Sequence, residues 1–189
     1  MTPIDGSATV AARPGRGERI ARWLLVPLIV VLVTAVFVFF VFFQTVQVSG
    51  TSMLPGLRNG DYLFITRGYA NPVRGDVIVF QEQDQGHTID VVKRVIGTPG
   101  DVVAVTDDAA TVDGQPEPAR DLVRGYPNEY PGDTGVFPAE TVPAGSVYVL
   151  GDNRPVSLDS RFRGPIALSE VKGRAVFRFA PITRLGPVR

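Results

Sequence analysis

The chain has 189 residues, and its 19 lysines and arginines balance its 19 aspartates and glutamates, so the formal net charge is zero. This balance argues against a strongly basic surface and therefore against nucleic acid as a partner. The sequence has no cysteine and a single histidine, His87. Disulfides, thiolate catalysis, cysteine-based metal sites and most zinc hydrolase sites are excluded, because they need residues that the chain lacks.

A charge-free apolar run extends from Trp23 to Phe43. A helix that rises ~1.5 Å per residue spans, over this length, roughly the ~30 Å of bilayer hydrocarbon. The residues that follow do not form the small-x-small exit of a cleavable secretion signal, so we expect the helix to stay attached. The sequence therefore predicts one transmembrane helix over residues 23–43.

The charges beside this run predict its orientation. Four arginines lie on its N-terminal side: Arg13, Arg16, Arg19 and Arg22. Because positively charged flanks remain in the cytoplasm, residues 1–22 are predicted to be a cytoplasmic tail. Residues 44–189 then form a domain on the extracytoplasmic face of the plasma membrane. The tail shows no apolar period and is expected to be disordered.

Short runs of Val, Ile, Phe and Tyr, separated by Gly, Pro, Asn and Asp, follow the helix and are typical of an all-β domain. The pair Asp113-Gly114 predicts a hairpin turn after Ala110–Val112. Residues 116–143 carry much Pro, Gly and charge and are predicted to form an irregular excursion, not a second domain. The predicted strands are Tyr62–Thr66, Val77–Gln81, Asp90–Ile96, Val102–Thr106, Ser146–Leu150 and Arg174–Phe179.

Ser52 stands in a segment of small and turn-forming residues, SGTSMLPGL at 49–57, shortly after the predicted membrane exit. Such a segment is often only a turn. It also suits a nucleophilic serine, because small neighbours let a peptide approach and backbone N–H groups are available to an oxyanion. A serine needs a base, however, so this segment alone decides nothing.

Lys93 lies in a predicted strand, DVVKRVIGTPGD at 90–101. Strand alternation places Lys93 on the same face as Val91 and Val95, with Arg94 on the opposite face. A lysine in this position can protect a strand edge or extend to solvent. Apolar neighbours also disfavour the ammonium form, which lowers the pKa of a lysine and lets its neutral amine accept the proton of a serine hydroxyl.

Two further segments are polar or turn-like. RGDVIVF at 74–80 is a turn that leads into a strand, and GDNRPVSLDSR at 151–161 follows an apolar strand. The second segment is either a solvated loop or a group of hydroxyls, acids and arginines that hydrogen-bond a neutral lysine and pair with Arg94.

In this order, and behind an N-terminal anchor, the four segments resemble the motif set of bacterial type I signal peptidases, the serine-lysine leader peptidase family. SGTSMLPGL resembles the nucleophile box, RGDVIVF the third box, DVVKRVIGTPGD the lysine box and GDNRPVSLDSRFRGP the C-terminal box. Each segment alone is a modest signal, whereas the ordered set is specific.

The resemblance implies a mostly β fold with an antiparallel β-sheet catalytic domain and an apolar rim that associates with lipid. It also implies a membrane-anchored serine endopeptidase that removes signal peptides from exported preproteins after small residues, at sites like Ala-x-Ala. The expected partners are signal-peptide-bearing preproteins and membrane lipid, and no metal or organic cofactor is expected.

Residue roles follow from the same resemblance. Ser52 is the expected nucleophile, Lys93 the general base, and Ser157 the hydroxyl that hydrogen-bonds and orients the lysine. A supporting ion-pair network is expected from four further residues: Arg94, Asp152, Asp159 and Arg161.

The sequence departs from part of the family at Gly50, where some relatives have a serine that donates its hydroxyl to the oxyanion. The oxyanion hole is therefore expected to use the Ser52 backbone N–H, a Gly50 backbone contribution or bound water. Gly56 stands where the family usually has threonine. Candidate residues to line the substrate pockets are Met53, Leu57 and Val91.

Two alternatives remain open from the sequence. A self-cleaving repressor shares the serine-lysine pair and general fold, but such proteins carry a DNA-binding domain where this chain has a predicted membrane helix. The second alternative is a non-catalytic, membrane-tethered β-module that binds secretion partners. The presence of both Ser52 and Lys93 argues against it.

Overall fold

The structure, a computed structural model, describes residues 16–125 and 135–188. Most of the N-terminal helix belongs to one compact unit, and the chain from Val41 onward forms a second. Of the N-terminal tail that is predicted to be disordered, residues 1–15 lie outside the described residues. The prediction is wrong for residues 16–22, which form the start of the helix.

Helix α1 extends over Arg16–Phe42. Its segment Arg22–Phe42 is long and apolar enough to cross a membrane, and none of that segment is buried in protein. Side chains that are apolar and uncovered need an apolar environment, which fits a membrane-anchored protein. The predicted helix runs one residue too far, because Phe43 begins a strand in which polar and apolar residues alternate.

The second unit contains twelve strands within the described residues. They are β1 (Phe43–Gln47), β2 (Tyr62–Arg67), β3 (Val77–Asp84), β4 (His87–Gly97), β5 (Val102–Thr106), β6 (Ala109–Val112), β7 (Gln115–Pro116), β8 (Val136–Thr141), β9 (Ser146–Leu150), β10 (Ile166–Ala167), β11 (Val171–Ala180) and β12 (Gly186–Pro187). A short helix, α2 (Ser160–Arg163), and three 3₁₀ turns (Arg154–Val156, Leu168–Glu170 and Ile182–Arg184) complete the unit.

The strands form two antiparallel sheets. The larger sheet has the order β1-β2-β11-β3-β4-β9-β10, with β12 paired to β11, and the smaller has the order β7-β6-β5-β8. The core of the larger sheet includes Leu63, Ile65 and Val79, none of which is exposed to solvent. This arrangement places β4, which carries Lys93, between β3 and β9 in the interior of the larger sheet.

All six predicted strands are confirmed, and four of them extend beyond their predicted ends. The predicted hairpin is also confirmed: Asp113 and Gly114 have φ angles of 53° and 75°, and Val112 pairs with Gln115. Positive φ at both central residues is the geometry of a tight two-residue hairpin, in which glycine carries no steric cost.

The prediction of an irregular excursion over residues 116–143 is wrong for β8. This strand carries Pro138, which has no N–H to donate to a ladder. The structure accommodates the proline because β8 is an edge strand and because the register with β5 shifts between the pairs at Val103 and Val105. Strand β1 was not predicted, since it follows the apolar helix without a turn.

His87, the single histidine, is exposed and lies next to a turn. The turn consists of Gln85 and Gly86, and His87 is the first residue of β4, where it pairs with Asp84. Lys93 lies six positions further along the same strand, which corresponds to about 20 Å at ~3.3 Å per residue.

Gly173 on β11 should be essential for close packing of the larger sheet. A Cβ added there would lie 1.9 Å from the Thr66 carbonyl oxygen on the neighbouring strand. We expect Gly173→Ala to lower the free energy of unfolding by about 3 kcal/mol, because a backbone atom cannot move aside without breaking the ladder.

Pulse proteolysis in urea, on the full-length protein in detergent, measures this change. The matched control is Gly125→Ala, whose new methyl group meets, among the described residues, only Pro155 at an ordinary 3.5 Å. Equal stabilities of the two variants would contradict the packing argument.

Candidate active site

Ser52 lies in the connection between β1 and β2, which we call the Ser52 loop (residues 48–61). The two ends of the loop are joined, because the Val48 N–H donates to the Asp61 carbonyl at 2.8 Å and the Gly60 N–H donates to the Val48 carbonyl at 2.9 Å. The loop therefore leaves the sheet and returns to it at one place, with Ser52 half-buried within it.

Lys93 reaches this loop from β4. Its Nζ donates to Ser52 Oγ at 2.9 Å, and the residue is only 4% exposed. Its cross-strand partner on β3 is Ile78, which is fully buried. The two residues that the sequence marked as nucleophile and base, 41 positions apart, thus lie in direct contact.

Burial lowers the pKa of Lys93 to about 8. Loss of hydration is the largest cause, because it penalises the ammonium form. The Asp159 carboxylate opposes this shift, Arg161 adds to it, and Asp152 again opposes it. A substantial share of neutral amine is therefore present near neutral pH, which is the form that can accept a proton from a serine hydroxyl.

Arg94, the next residue of β4, pairs with Asp152. Its Nε and Nη2 donate to the two carboxylate oxygens at 2.8 and 2.6 Å, and both side chains are buried. Its Nη1 donates to the Gly75 carbonyl at 2.8 Å, so the RGDVIVF segment contributes a backbone acceptor to this pair. Two parallel hydrogen bonds hold the guanidinium and the carboxylate in one orientation.

The residue after Asp152 connects this pair to the Ser52 loop. The Asn153 backbone N–H donates to the Ser52 carbonyl at 2.9 Å, and its side-chain amide donates to the Thr51 carbonyl at 3.0 Å. Any shift of the Arg94–Asp152 pair would therefore be transmitted to the backbone of Ser52.

Arg161 forms a separate group of ion pairs. Its Nε donates to Asp159 Oδ1 at 2.9 Å, and its Nη1 donates to Asp108 Oδ1 at 3.0 Å. The four supporting residues expected from the resemblance thus form two pairs, Arg94 with Asp152 and Arg161 with Asp159. The expectation of one network omitted Asp108, which lies at the turn between β5 and β6.

Arg154 and Glu117, which also form a buried ion pair, were not predicted from the sequence as site residues. Arg154 is fully buried, and its Nη2 donates to both Glu117 carboxylate oxygens at 2.7 Å. Its Nε donates to the Gly151 carbonyl at 2.9 Å. No local pattern marks Glu117, since it stands in a Pro-rich stretch beyond the predicted hairpin.

Ser157 does not make the hydrogen bond to Lys93 that the resemblance implies. Its Oγ is buried and has no hydrogen-bond partner in the part of the chain that the structure describes. Gly151 lies against it: a Cβ there would be 2.2 Å from Ser157 Oγ and 2.6 Å from the Ser52 carbonyl oxygen. Only glycine leaves room for the serine hydroxyl this close to the Ser52 loop.

The two expected oxyanion donors differ in their surroundings. The Gly50 N–H donates to Asn59 Oδ1 at 3.2 Å, so it is already engaged. The Ser52 N–H has no acceptor among residues 16–125 and 135–188. Of the two backbone groups, the N–H of Ser52 is therefore the one that is available to a ligand.

The three candidate pocket residues do not form one group. Met53 and Leu57 are buried together in a core cluster that also contains Val92. Val91 packs against a different cluster, which contains Phe80 and Val95. Strand alternation explains the separation, because Val91 and Val92 point to opposite faces of β4. Within the described residues, no group of three or more His, Cys, Asp or Glu side chains is placed to hold a metal ion.

The Arg154–Glu117 pair should stabilise the fold. We expect Glu117→Gln to lower the free energy of unfolding by about 3 kcal/mol, because the amide leaves the arginine charge buried without a counter-charge. Pulse proteolysis in urea tests this, with the exposed Glu140→Gln on β8 as a control expected to stay within about 0.5 kcal/mol of wild type. Wild-type stability of the Glu117 variant would contradict the assignment.

The chain is similar in sequence to known signal peptidases. The family model for signal peptidases, peptidase S26, matches residues 20–180. Signal peptidase I of Leptolyngbya laminosa is 40% identical over 148 residues, which cover 74% of this chain and 70% of that protein. Signal peptidase I of Bacillus caldolyticus is 37% identical over 177 residues, which cover 87% and 92%.

A solved structure, a signal peptidase I from Enterococcus faecalis V583, is 30% identical and covers 55% of this chain and 96% of its own, with a TM-score of 0.41. The assignment rests on the family model and the curated relatives. The chain therefore belongs to the signal peptidase family, peptidase S26, and is a serine endopeptidase.

Proposed function

We propose that this endopeptidase cleaves signal peptides from preproteins with Ser52 as nucleophile and Lys93 as general base. The observation that supports this proposal is the contact of 2.9 Å between Lys93 Nζ and Ser52 Oγ, made by a lysine whose pKa burial lowers to about 8. A serine hydroxyl is a weak nucleophile without an adjacent base, and here the base is held within hydrogen-bond reach.

The reaction has two stages. In the first, the neutral Lys93 amine takes the Ser52 proton as Oγ attacks the scissile carbonyl, and the resulting ammonium returns that proton to the leaving amine. In the second, water attacks the acyl-enzyme with Lys93 again as base, which releases the signal peptide and restores Ser52. Each stage begins and ends with a neutral lysine.

The Ser52 N–H is the proposed backbone donor to the oxyanion, since the Gly50 N–H is engaged by Asn59. Ser157 is proposed to hydrogen-bond the Lys93 amine during the reaction. Its buried hydroxyl lacks a partner among the described residues, which leaves its hydrogen-bonding capacity for the lysine.

The substrate is proposed to bind as an extended strand along β1, which is an edge of the larger sheet and leads directly into the Ser52 loop. Backbone pairing at such an edge supplies affinity, while pockets for alternate side chains supply specificity. Small side chains one and three residues before the cut, as in Ala-x-Ala, are the proposed specificity. Met53 and Leu57, which share one core cluster, are proposed to line one of these pockets, and Val91, which packs on another cluster, a separate one.

The membrane arrangement is also proposed: residues 1–22 on the cytoplasmic side, including the first residues of α1, residues 23–42 as a single span and residues 43–189 as the catalytic domain outside. The arginines before the span support this orientation. Because the signal peptide is membrane-embedded as well, the anchor raises the effective concentration of the scissile bond near Ser52.

The first prediction concerns the catalytic pair. Ser52→Ala and Lys93→Ala should each abolish cleavage of a preprotein with an Ala-x-Ala site, because neither residue works without the other. Lys93→Arg should do the same, since arginine stays protonated. Initial rates in detergent measure the losses, and the double variant should be no worse than either single one. Cleavage by the Ser52→Ala protein above background would contradict the proposal that Ser52 is the nucleophile.

The second prediction concerns pH. The acidic limb of kcat/KM should have its midpoint near pH 8, because activity requires neutral Lys93 and rises as pH passes that pKa. His87→Ala should keep the wild-type turnover and profile, since His87 lies at the far, exposed end of β4. A pH-rate series from pH 5 to 10 makes the test. A His87→Ala protein that is folded but inactive would show that His87, and not Lys93, is the general base.

The third prediction concerns orientation. Protease added to spheroplasts should digest the domain after the span, because the arginine-rich flank holds the N-terminus inside. Immunoblotting for a C-terminal tag, with a cytoplasmic marker protein as the control for intact membranes, measures the digestion. Full protection of the domain would reverse the proposed orientation.

A further inference from the structure

The Gly56 carbonyl oxygen, in the Ser52 loop, accepts hydrogen bonds from two arginines of the C-terminal segment. Arg178 on β11 donates from Nη1 at 2.8 Å. Arg184, at the end of the 3₁₀ turn Ile182–Arg184, donates from Nη2 at 3.1 Å. Neither arginine belongs to the four motif segments, and Gly56 stands four positions after Ser52.

Asp61 holds these two guanidinium groups in place. Its side chain is 1% exposed, and its carboxylate oxygens accept from Arg184 Nη1 at 2.8 and 3.0 Å and from Arg178 Nη1 at 3.4 Å. The Arg58 backbone N–H completes its contacts at 2.9 Å. A buried carboxylate needs a nearby cation, and the planar guanidinium can bind the carboxylate and a carbonyl oxygen at once.

The backbone between Gly56 and Ser52 is compact, so a restraint on one acts on the other. The Leu54 N–H donates to the Thr51 carbonyl at 3.1 Å, and the Leu57 N–H donates to the Met53 carbonyl at 2.9 Å. Met53 and Leu57 are buried in the same core cluster. These contacts link Gly56 to Ser52 within one compact turn, residues 51–57.

We propose that Arg178 and Arg184 are positioning residues that hold Ser52 Oγ within reach of Lys93 by binding the Gly56 carbonyl. This inference rests on the proposed role of Ser52 as nucleophile. Asn153 fixes the backbone of Thr51 and Ser52, and the arginine pair fixes the other end of the same turn. Reactivity depends on this geometry, because a displacement of about 1 Å can cost about a hundredfold in rate.

The sharpest test is Arg178→Gln. This change removes the 2.8 Å bond to Gly56 but leaves Asp61 paired with Arg184, so the buried carboxylate keeps its counter-charge. We expect kcat for preprotein cleavage in detergent to fall about tenfold while KM changes less than about twofold, since the proposed substrate path along β1 does not include this residue. The rate of Ser52 acylation by a serine-directed probe should fall by the same factor.

A matched control is Lys172→Gln, because Lys172 lies on the same strand β11 as Arg178. This change removes an exposed ion pair with Asp90 and should leave kcat unchanged. Unchanged kcat and acylation rate in Arg178→Gln, with Ser52→Ala inactive in the same assay, would overturn the positioning role alone. If the Ser52→Ala protein also cleaved the preprotein, the proposal that Ser52 is the nucleophile would be wrong.

A second variant separates positioning from stability. The triple change Arg178→Gln, Arg184→Gln and Asp61→Asn removes both cations together with the buried anion, so no uncompensated charge remains. We expect this variant to melt closer to wild type than Arg178→Gln/Arg184→Gln does, while its kcat stays at least about tenfold reduced. Recovery of both melting temperature and kcat would show that the arginines act only on stability.

Discussion

The burial of the Lys93 amine against Ser52 Oγ is the interaction on which the rest of the site depends. A hydrated lysine is protonated at neutral pH and cannot serve as a base, whereas loss of hydration lowers its pKa to about 8. Strand β4 achieves this by carrying the lysine inside the larger sheet, between two neighbouring strands. A polar group placed there would otherwise be costly, and the hydrogen bond to Ser52 offsets part of that cost.

Charged groups close to such a lysine must be balanced among themselves, because an unpaired carboxylate would restore the ammonium form. Asp152 and Asp159 both attract a proton to Lys93, and each is bound by an arginine through short, buried contacts. Arg161 therefore does more than support the fold: its charge lowers the pKa of Lys93 and so opposes the two carboxylates. This explains why guanidinium groups, which always remain charged, occupy these places.

The smaller sheet contributes to this balance although it lies outside the motif segments. Its turn and hairpin supply Asp108 to Arg161 and Glu117 to Arg154. Both arginines flank Ser157, and Arg161 Nη2 donates to the Ser157 carbonyl at 3.1 Å. Asp108 and Glu117, which both lie outside the four motif segments, thus provide the carboxylates that bind two arginines of the 151–161 segment.

The apolar helix, six strands and the Asp113-Gly114 turn could be predicted from the sequence, because period and turn chemistry act over a few neighbouring residues. Ser52 and Lys93 were predicted as nucleophile and base from the order of four motif segments along the chain. The contact of Lys93 with Ser52, the hydrogen bond from the Gly50 N–H to Asn59 and the lack of a partner for the Ser157 hydroxyl among the described residues became known only from the folded structure. The ion-pair partners of the arginines also became known only from the structure. Arg94 and Asp152, for example, are 58 positions apart in the sequence. Contacts over such separations depend on sheet order and side-chain packing, which no local pattern encodes.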